Sequence, residues 1–298
     1  MRRLFSVSLL AVTALACGDD VVDVEVAVLD TPQGLSSISL NGAVHLRWSD
    51  NAYATAPEGA FLEYRVYSTG YSMDVGNGTC DEAWDLEGST VFSTEFLVGA
   101  LTNGEPRCFV VAAVNIDGVE SDWPLPRADT PRPDARNVLI WAYQSAPTLS
   151  GFRFFQDVNG DGQVGPLELG TVGDGNRTDI DFWVYRDSNG DLFLIPERTG
   201  TVVALYSDEP IEDLTSIDIA PVSGYSRDGI QAVPGFGYVF QMDEGDIYPR
   251  YGGLRATHVG VEYMIFDWSY QTDPGNPELS VHGGLGVADN SGIVVRRR

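Results

Sequence analysis

The residues best suited to do chemistry lie in one acidic stretch, 157–168. Read as a twelve-residue loop, it places oxygen-bearing side chains at positions 1, 3, 5 and 12, a glycine at position 6 and a backbone carbonyl at position 7. The side chains at positions 1, 3, 5 and 12 are Asp157, Asn159, Asp161 and Glu168. The glycine is Gly162, and the backbone carbonyl belongs to Gln163. Calcium prefers such hard oxygen ligands, so the stretch predicts a calcium site.

The spacing resembles the calcium loop of an EF-hand, but the flanks do not. Phe152 to Phe155 favours a strand, Pro166 interrupts the point where a helix would begin, and Gly165 leaves position 9 to a water. The metal would therefore hold a turn between strands rigid. The alternative is a metal-free polar hairpin, because Asn-Gly and Asp-Gly favour turns by themselves. Asp187, Asn189 and Asp191 repeat only the first half of the pattern and predict a hairpin turn.

The elements that position this loop are expected to be strands. The chain has 298 residues, 43% of them hydrophobic, is rich in glycine, and shows no long helical pattern. Val44, Leu46 and Trp48 alternate with polar residues, which is typical of a strand with one buried face. Residues 90–92 predict a further strand, and the apolar run 138–143 predicts a strand buried on both faces.

The charge excludes some classes of function. The formal net charge is −25 and lysine is absent, which argues against nucleic-acid binding and excludes lysine-based catalysis. No nucleophile elbow, zinc-protease motif, phosphate loop or Cys-x-x-Cys pair occurs, and there are three histidines. We therefore expect a protein that is not an enzyme, although a glycosidase-type carboxylate pair stays open in so acidic a chain.

The N-terminus reads as an export signal. Arg2 and Arg3 precede an apolar segment too short to span a bilayer, and the segment ends in Ala14-Leu15-Ala16-Cys17. This resembles the lipobox of bacterial lipoproteins, which implies lipidation of Cys17 and attachment to the outer membrane or cell surface. Ordinary signal peptidase would cut the same bond and release a secreted protein. If Cys17 carries lipid, Cys80 and Cys108 are left as a disulfide pair; the alternative is two free thiols.

Residues 31–131 resemble a fibronectin type III domain. The resemblance is carried by Pro32, Leu46-x-Trp48, Tyr64-x-Val66-Tyr67, Leu101-x-x-Gly104, Val111-x-Ala113-Val114-Asn115 and Gly118-x-x-Ser121. It implies a β-sandwich that spaces, presents or binds. The family's corner tyrosine falls at Arg107, which puts its usual hydrogen bond in doubt.

The whole chain is predicted to be all-β, with this sandwich followed by a second antiparallel β domain. The expected segments are a signal peptide (1–16), an acidic tether (17–30), the fibronectin-like domain (31–131), a Pro/Arg linker (132–136), the β-rich domain (137–282) and a flexible tail (283–298).

The second domain is weakly similar in rhythm to surface haem-carrier lipoproteins, which ligate haem with two histidines. The available histidines here are His258 and His282, so a carrier of a small ligand such as haem is one alternative function. A carbohydrate-active enzyme or accessory module is another. The main expectation is a binding or structural role at the cell surface, with a glycan or a protein as ligand. Exposed aromatics would serve such a ligand, and the sequence offers Trp141, Trp183, Tyr248 and Tyr251.

Overall fold

The computed structural model describes residues 28–74, 77–160, 165, 167–243, 245 and 247–280. Within these ranges the chain forms four antiparallel sheets, one five-residue helix and two short 3₁₀ turns. The protein is therefore all-β, as the sequence predicts. The signal segment with Cys17, most of the acidic tether, and the tail with His282 lie outside the described residues.

The first sandwich is built from eight strands. They are β1 (Ser36–Leu40), β2 (Ala43–Arg47), β3 (Phe61–Asp74), β4 (Asn77–Cys80), β5 (Asp85–Thr90), β6 (Glu95–Val98), β7 (Arg107–Asn115) and β8 (Arg127–Asp129), with helix α1 (Asn51–Thr55) after β2. One sheet has the order β1-β2-β6. The other has the order β4-β3-β7-β8, with β5 pairing on β3.

Alternation along the strands fills the core between these two sheets. Val44 and Leu46 of β2 face Val66, Phe109 and Val111 of the opposite sheet, and all five are fully buried. Leu29, at the end of the predicted tether, is also buried in this core. The predicted strand over residues 90–92 is wrong, because β5 ends at Thr90 and the next two residues lie exposed in a turn.

The second sandwich packs two five-stranded sheets face to face. Its strands are β9 (Asp134–Trp141), β10 (Gly151–Phe155), β11 (Leu169–Gly173), β12 (Phe182–Arg186), β13 (Leu192–Pro196), β14 (Val202–Leu205), β15 (Ile230–Gln231), β16 (Gly237–Met242), β17 (Arg250–Val259) and β18 (Tyr263–Tyr270). The orders are β11-β10-β12-β13-β15 and β14-β16-β17-β18-β9. The 3₁₀ turns cover Pro147–Leu149 and Leu214–Ser216.

Aromatic rings dominate the core of the second sandwich. Phe152, Phe154 and Phe182 come from one sheet and meet Phe240 and Phe266 of the other, and all are fully buried. Such rings bury more apolar area per residue than any aliphatic side chain. The strand predicted to be buried on both faces is instead the edge strand β9, in which Ile140 enters the core and Leu139 is exposed.

The two sandwiches meet at a joint made by residues 127–134 and 272–280. Arg132, which is fully buried, donates from Nε to the Leu279 carbonyl and from Nη1 to Asp134 Oδ2 at 3.2 Å. Asn276 Nδ2 donates to Thr130 Oγ1 at 3.4 Å. Gly104 adopts a φ of +84° and packs so closely on Thr272 that a side chain has no space there. The joint thus combines a buried arginine with tight backbone packing.

Candidate functional site

The predicted calcium loop connects two paired strands. Gln156 N donates to the Glu168 carbonyl at 2.7 Å, which closes the hairpin between β10 and β11 at the base of the loop. Asp157 Oδ1 accepts a hydrogen bond from Gly160 N at 2.6 Å. Asp157, Asn159 and Glu168 belong to the described part of this loop, whereas Asp161 and Gln163 lie outside the described residues.

The carboxylate of Glu168 points inward. It is 5% exposed and accepts from Val158 N at 2.9 Å and Asn159 N at 3.3 Å through Oε1, and from Gly165 N at 2.8 Å through Oε2. These three bonds from described residues already order the two ends of the loop around the Glu168 carboxylate.

The second acidic loop is a hydrogen-bonded turn. Asp187 Oδ1 accepts from Asn189 N and Asp191 N, both at 2.9 Å, and Asp187 N donates to the Asp191 carbonyl at 2.9 Å. The aspartate side chain thus performs the turn-forming role expected of Asx residues. In the part of the chain that the structure describes, neither loop presents three acidic, histidine or cysteine side chains as a ready metal cluster.

A disulfide joins Cys80 and Cys108, with the Cα atoms 5.8 Å apart. Cys108 shares a face of β7 with Val110, away from the core of the first sandwich, and both are fully buried. Tyr67 lies opposite Val110 and meets Trp123, which meets Trp84, at centroid distances of 5.2 and 5.3 Å. Arg107 does not reproduce the corner tyrosine; its Nη2 donates to Ser68 Oγ at 2.6 Å.

The outer face of the second sandwich carries a feature that the sequence analysis identified only in part. On β12, Phe182 and Val184 enter the core, so Trp183 and Tyr185 point outward. Their cross-strand partners on β13 are Ile195 and Phe193. Together with Tyr143, these four residues form a surface that is half-buried except at the exposed Tyr185, and we call it the aromatic band (Tyr143, Trp183, Tyr185, Phe193, Ile195).

The geometry of the aromatic band is open and rimmed by polar groups. The Trp183 ring lies 5.4 Å from Tyr143 and 5.8 Å from Tyr185, edge to face in both pairs. Trp183 Nε1 donates to Glu197 Oε2 at 3.2 Å, and Tyr143 Oη donates to Asn176 Oδ1 at 2.6 Å. The alternation of core-facing and outward-facing residues along 180–185 was the sequence signal that could have located the aromatic band.

The other aromatic candidates are placed differently. Trp141 is half-buried on β9 and packs against Tyr263 at 5.5 Å. Tyr251 packs against a small apolar cluster behind the second sheet, where burial raises the pKa of its hydroxyl. Tyr248 lies against Gly275 near the joint. His258 is exposed at the far end of β17 and packs on Tyr263 at 5.5 Å.

A cleft of about 850 Å³ opens beside the joint and is lined by both sandwiches. Glu105, Asp134 and Asp273 supply carboxylates, and Trp268 supplies an apolar wall. Arg250 also lines the cleft, donates to the Thr272 carbonyl at 2.9 Å, and lies 5.7 Å above the Phe155 ring. The cleft is therefore polar, and the guanidinium of Arg250 is engaged in structural contacts.

Two further carboxylates lie at the joint itself, where Asp129 is buried and Glu278 is half-buried. Asp129 Oδ1 accepts from Ser39 Oγ at 2.5 Å, and Asp129 Oδ2 is buried without a hydrogen-bond donor among the described residues. Burial raises the pKa of Asp129. Burial, reinforced by the charge of Asp129 and only partly opposed by Arg127, raises the pKa of Glu278 to about 7. These groups make the joint sensitive to protonation.

Comparison with known proteins does not identify a family for this chain. No protein-family model matches the chain, and no curated protein matches it. The FN5 domain of Drosophila Lar aligns over 35% of this chain and 97% of its own, with 21% identity and a TM-score of 0.26. A two-domain fibronectin type III segment of chicken tenascin covers 76% of this chain and 99% of its own, with 14% identity and a TM-score of 0.25.

A DUF4466 family protein from Parabacteroides merdae is also similar to this chain. It covers 81% of this chain and 99% of its own, with 9% identity and a TM-score of 0.40. All three TM-scores lie below 0.5, so neither a family nor a function follows from these alignments. Among the described residues, no helix has the length and apolarity needed to cross a bilayer.

Proposed function

We propose that this chain is an exported cell-envelope protein, lipidated on Cys17, that binds a glycan through the aromatic band of its second sandwich. The first sandwich acts as a spacer, and calcium bound by the 157–168 loop rigidifies the second. The observation that carries the proposal is the outward orientation of Trp183 and Tyr185 on a strand whose other face is fully committed to the core.

The chemistry of the aromatic band suits a sugar. A pyranose ring presents an apolar C–H face, which packs on the electron-rich face of an aromatic ring. Its hydroxyls then need acceptors and donors at the edge, because ligand sites combine apolar surface with a few placed polar groups. Glu197 and Asn176 already hydrogen-bond to band residues and lie at that edge.

Export and anchoring are supported by two independent features. The segment before Cys17 has the composition of a signal peptide and ends in a lipobox-like sequence. The disulfide between Cys80 and Cys108 is of the kind that persists in an oxidising compartment.

Binding is tested by titrating soluble polysaccharides against the mature chain and following tryptophan fluorescence and calorimetric heat. Trp183→Ala should weaken binding at least about ten-fold, equivalent to roughly 1.4 kcal/mol. Trp141→Ala is the matched control, because Trp141 is a half-buried strand tryptophan on the other sheet. Absence of binding to any glycan, or an equal loss of binding in both variants, contradicts the glycan proposal. If a protein binds through Trp183 instead, a protein ligand replaces the glycan in the proposal.

Anchoring is tested separately by metabolic labelling with a fatty acid and by membrane fractionation. The wild-type chain should carry label and sediment with membranes, whereas Cys17→Ala should be unlabelled. A released, unlabelled wild-type protein would instead support cleavage by ordinary signal peptidase.

A further inference from the structure

The first sandwich has one end whose loops all expose apolar side chains. Val28 is 67% exposed, Tyr53 of α1 54%, Phe92 of the β5–β6 turn 89%, and Ile116 after β7 61%. Val91, beside Phe92, is exposed as well. We call this set the apolar pole (Val28, Tyr53, Val91, Phe92, Ile116). Soluble proteins seldom gather exposed apolar residues in this way unless the surface meets a partner.

Contacts between the loops establish that these residues share one end of the sandwich. Tyr53, Val91 and Phe92 line a single pocket of about 480 Å³. Ile116 N donates to the Ala60 carbonyl at 2.9 Å, which joins the loop after β7 to the segment after α1.

The N-terminal chain enters the sandwich at this same end. Asp30 Oδ2 accepts from Thr55 Oγ1 at 2.7 Å, so the residue two positions after Val28 is fixed against α1. Cys17 and Val28 are eleven positions apart. Eleven residues span at most about 36 Å even when fully extended. A lipid on Cys17 would keep the apolar pole close to the bilayer.

We propose that the apolar pole docks on the surface of the membrane in which Cys17 is anchored, with Phe92 and Tyr53 entering the headgroup region. This inference rests on the lipid anchor of the proposed function. Aromatic side chains favour the membrane–water interface because their rings are partly apolar and partly polar. The docking holds the first sandwich upright and directs the second sandwich, with its aromatic band, away from the membrane.

The charges around the apolar pole define the type of membrane surface. Asp50, Glu58 and Asp117 are exposed on the same loops and would repel anionic lipid. Attachment must therefore come from apolar contact with uncharged or zwitterionic headgroups. Such contact is weak for a free protein, but a short tether raises the effective concentration of the pole at the surface to about the millimolar range.

The test uses the mature chain from Gly18, attached through an N-terminal histidine tag to zwitterionic vesicles that contain a chelating lipid. This chain lacks Cys17, and Cys80 and Cys108 are bonded to each other, so an introduced cysteine is the single free thiol. A polarity-sensitive dye is placed at Asp117→Cys, beside Ile116. The matched control is Glu262→Cys, an exposed acidic position beside the exposed Val261 in the second sandwich.

Vesicle attachment should shift the dye emission to shorter wavelength at position 117 and leave it unchanged at position 262. Phe92→Ser combined with Ile116→Ser should reduce the docked fraction about ten-fold, because two apolar side chains no longer leave water. The melting temperature of that variant should match the parent, since both residues are exposed.

Equal shifts at both positions, or no shift at 117, would overturn the docking. A shift at 117 that needs no vesicles and grows with protein concentration would also overturn it, in favour of self-association. Because the chelating lipid supplies the tether, failure here is distinct from failure of the fatty-acid labelling of Cys17.

Discussion

The two sandwiches reach stability by different means. The second has a continuous core of buried phenylalanine rings contributed by both sheets. The first has a core of mainly aliphatic residues with Trp48, Tyr64 and Phe109, and it adds a disulfide across the outer face of β7. Small domains that bury less apolar surface commonly rely on such cross-links. The difference suggests that the first sandwich depends on oxidation and the second on packing.

The largest expected effect is the loss of a core ring from the second sandwich. Phe154 is fully buried and lies 5.4 Å from Phe240 of the opposite sheet. Phe154→Ala should destabilise the second sandwich by about 3–5 kcal/mol, since it removes buried area and leaves a cavity. Phe193→Ala on the aromatic band is the control and should cost far less. Chemical denaturation measures both; similar losses would refute the assignment of the core.

The disulfide should matter almost as much, but only for the first sandwich. Cys80 and Cys108 are 28 positions apart, and closing such a loop stabilises by about 3–4 kcal/mol on the chain-entropy model. Replacement of both by alanine should therefore lower the melting temperature of the first sandwich and leave that of the second unchanged. Calorimetry with and without reductant measures this. An equal drop in both transitions would break the comparison.

The joint between the sandwiches should respond to pH. In the folded protein the pKa of Glu278 is raised to about 7 from an ordinary 4.5, so the folded state binds the proton more tightly than the unfolded state. The contribution of Glu278 to stability is therefore fully present below about pH 4.5 and is lost as the pH rises to about 7, by on the order of 3 kcal/mol. The raised pKa of Asp129 acts in the same direction.

Glu278→Gln should remove most of this pH dependence, because the amide stays neutral. Glu262→Gln, at an exposed position in the same sandwich, should leave it intact. Thermal unfolding measured from pH 4.5 to 8 provides the comparison. A parent protein whose joint becomes more stable with rising pH would contradict the assigned protonation.

Much of the fold follows from local sequence pattern. Alternation placed Val44 and Leu46 in the core of the first sandwich, and the Asp-Ser-Asn-Gly-Asp sequence at 187–191 gave the hairpin turn that the structure contains. The predicted burial of β9 failed because an apolar run does not reveal whether its strand lies at the centre or the edge of a sheet.

Some features of the candidate sites could be predicted from the sequence, and others could not. The outward direction of Trp183 and Tyr185 is encoded by strand alternation in residues 182–185, so it was accessible from the sequence. The proximity of Asp129 and Glu278 was not, because it depends on how two separately folded sandwiches pack. No local pattern in either segment records that electrostatic interaction.

The smallest expected effect comes from calcium, and it tests whether the second sandwich relies on packing alone. Binding at a site of roughly millimolar affinity stabilises by about 1.4 kcal/mol in 10 mM calcium, a shift of a few degrees in melting temperature. Asp157→Ala with Asp161→Ala should abolish that shift. Asp187→Ala with Asp191→Ala removes the same charge from the second acidic loop and should preserve the calcium-induced shift.

Because Glu168 is already held by three backbone donors, the 157–168 loop should stay folded without metal. A calcium-induced shift that survives the first pair of substitutions and disappears with the second would move the metal to 187–191; no shift in either protein would leave packing as the sole support of this sandwich.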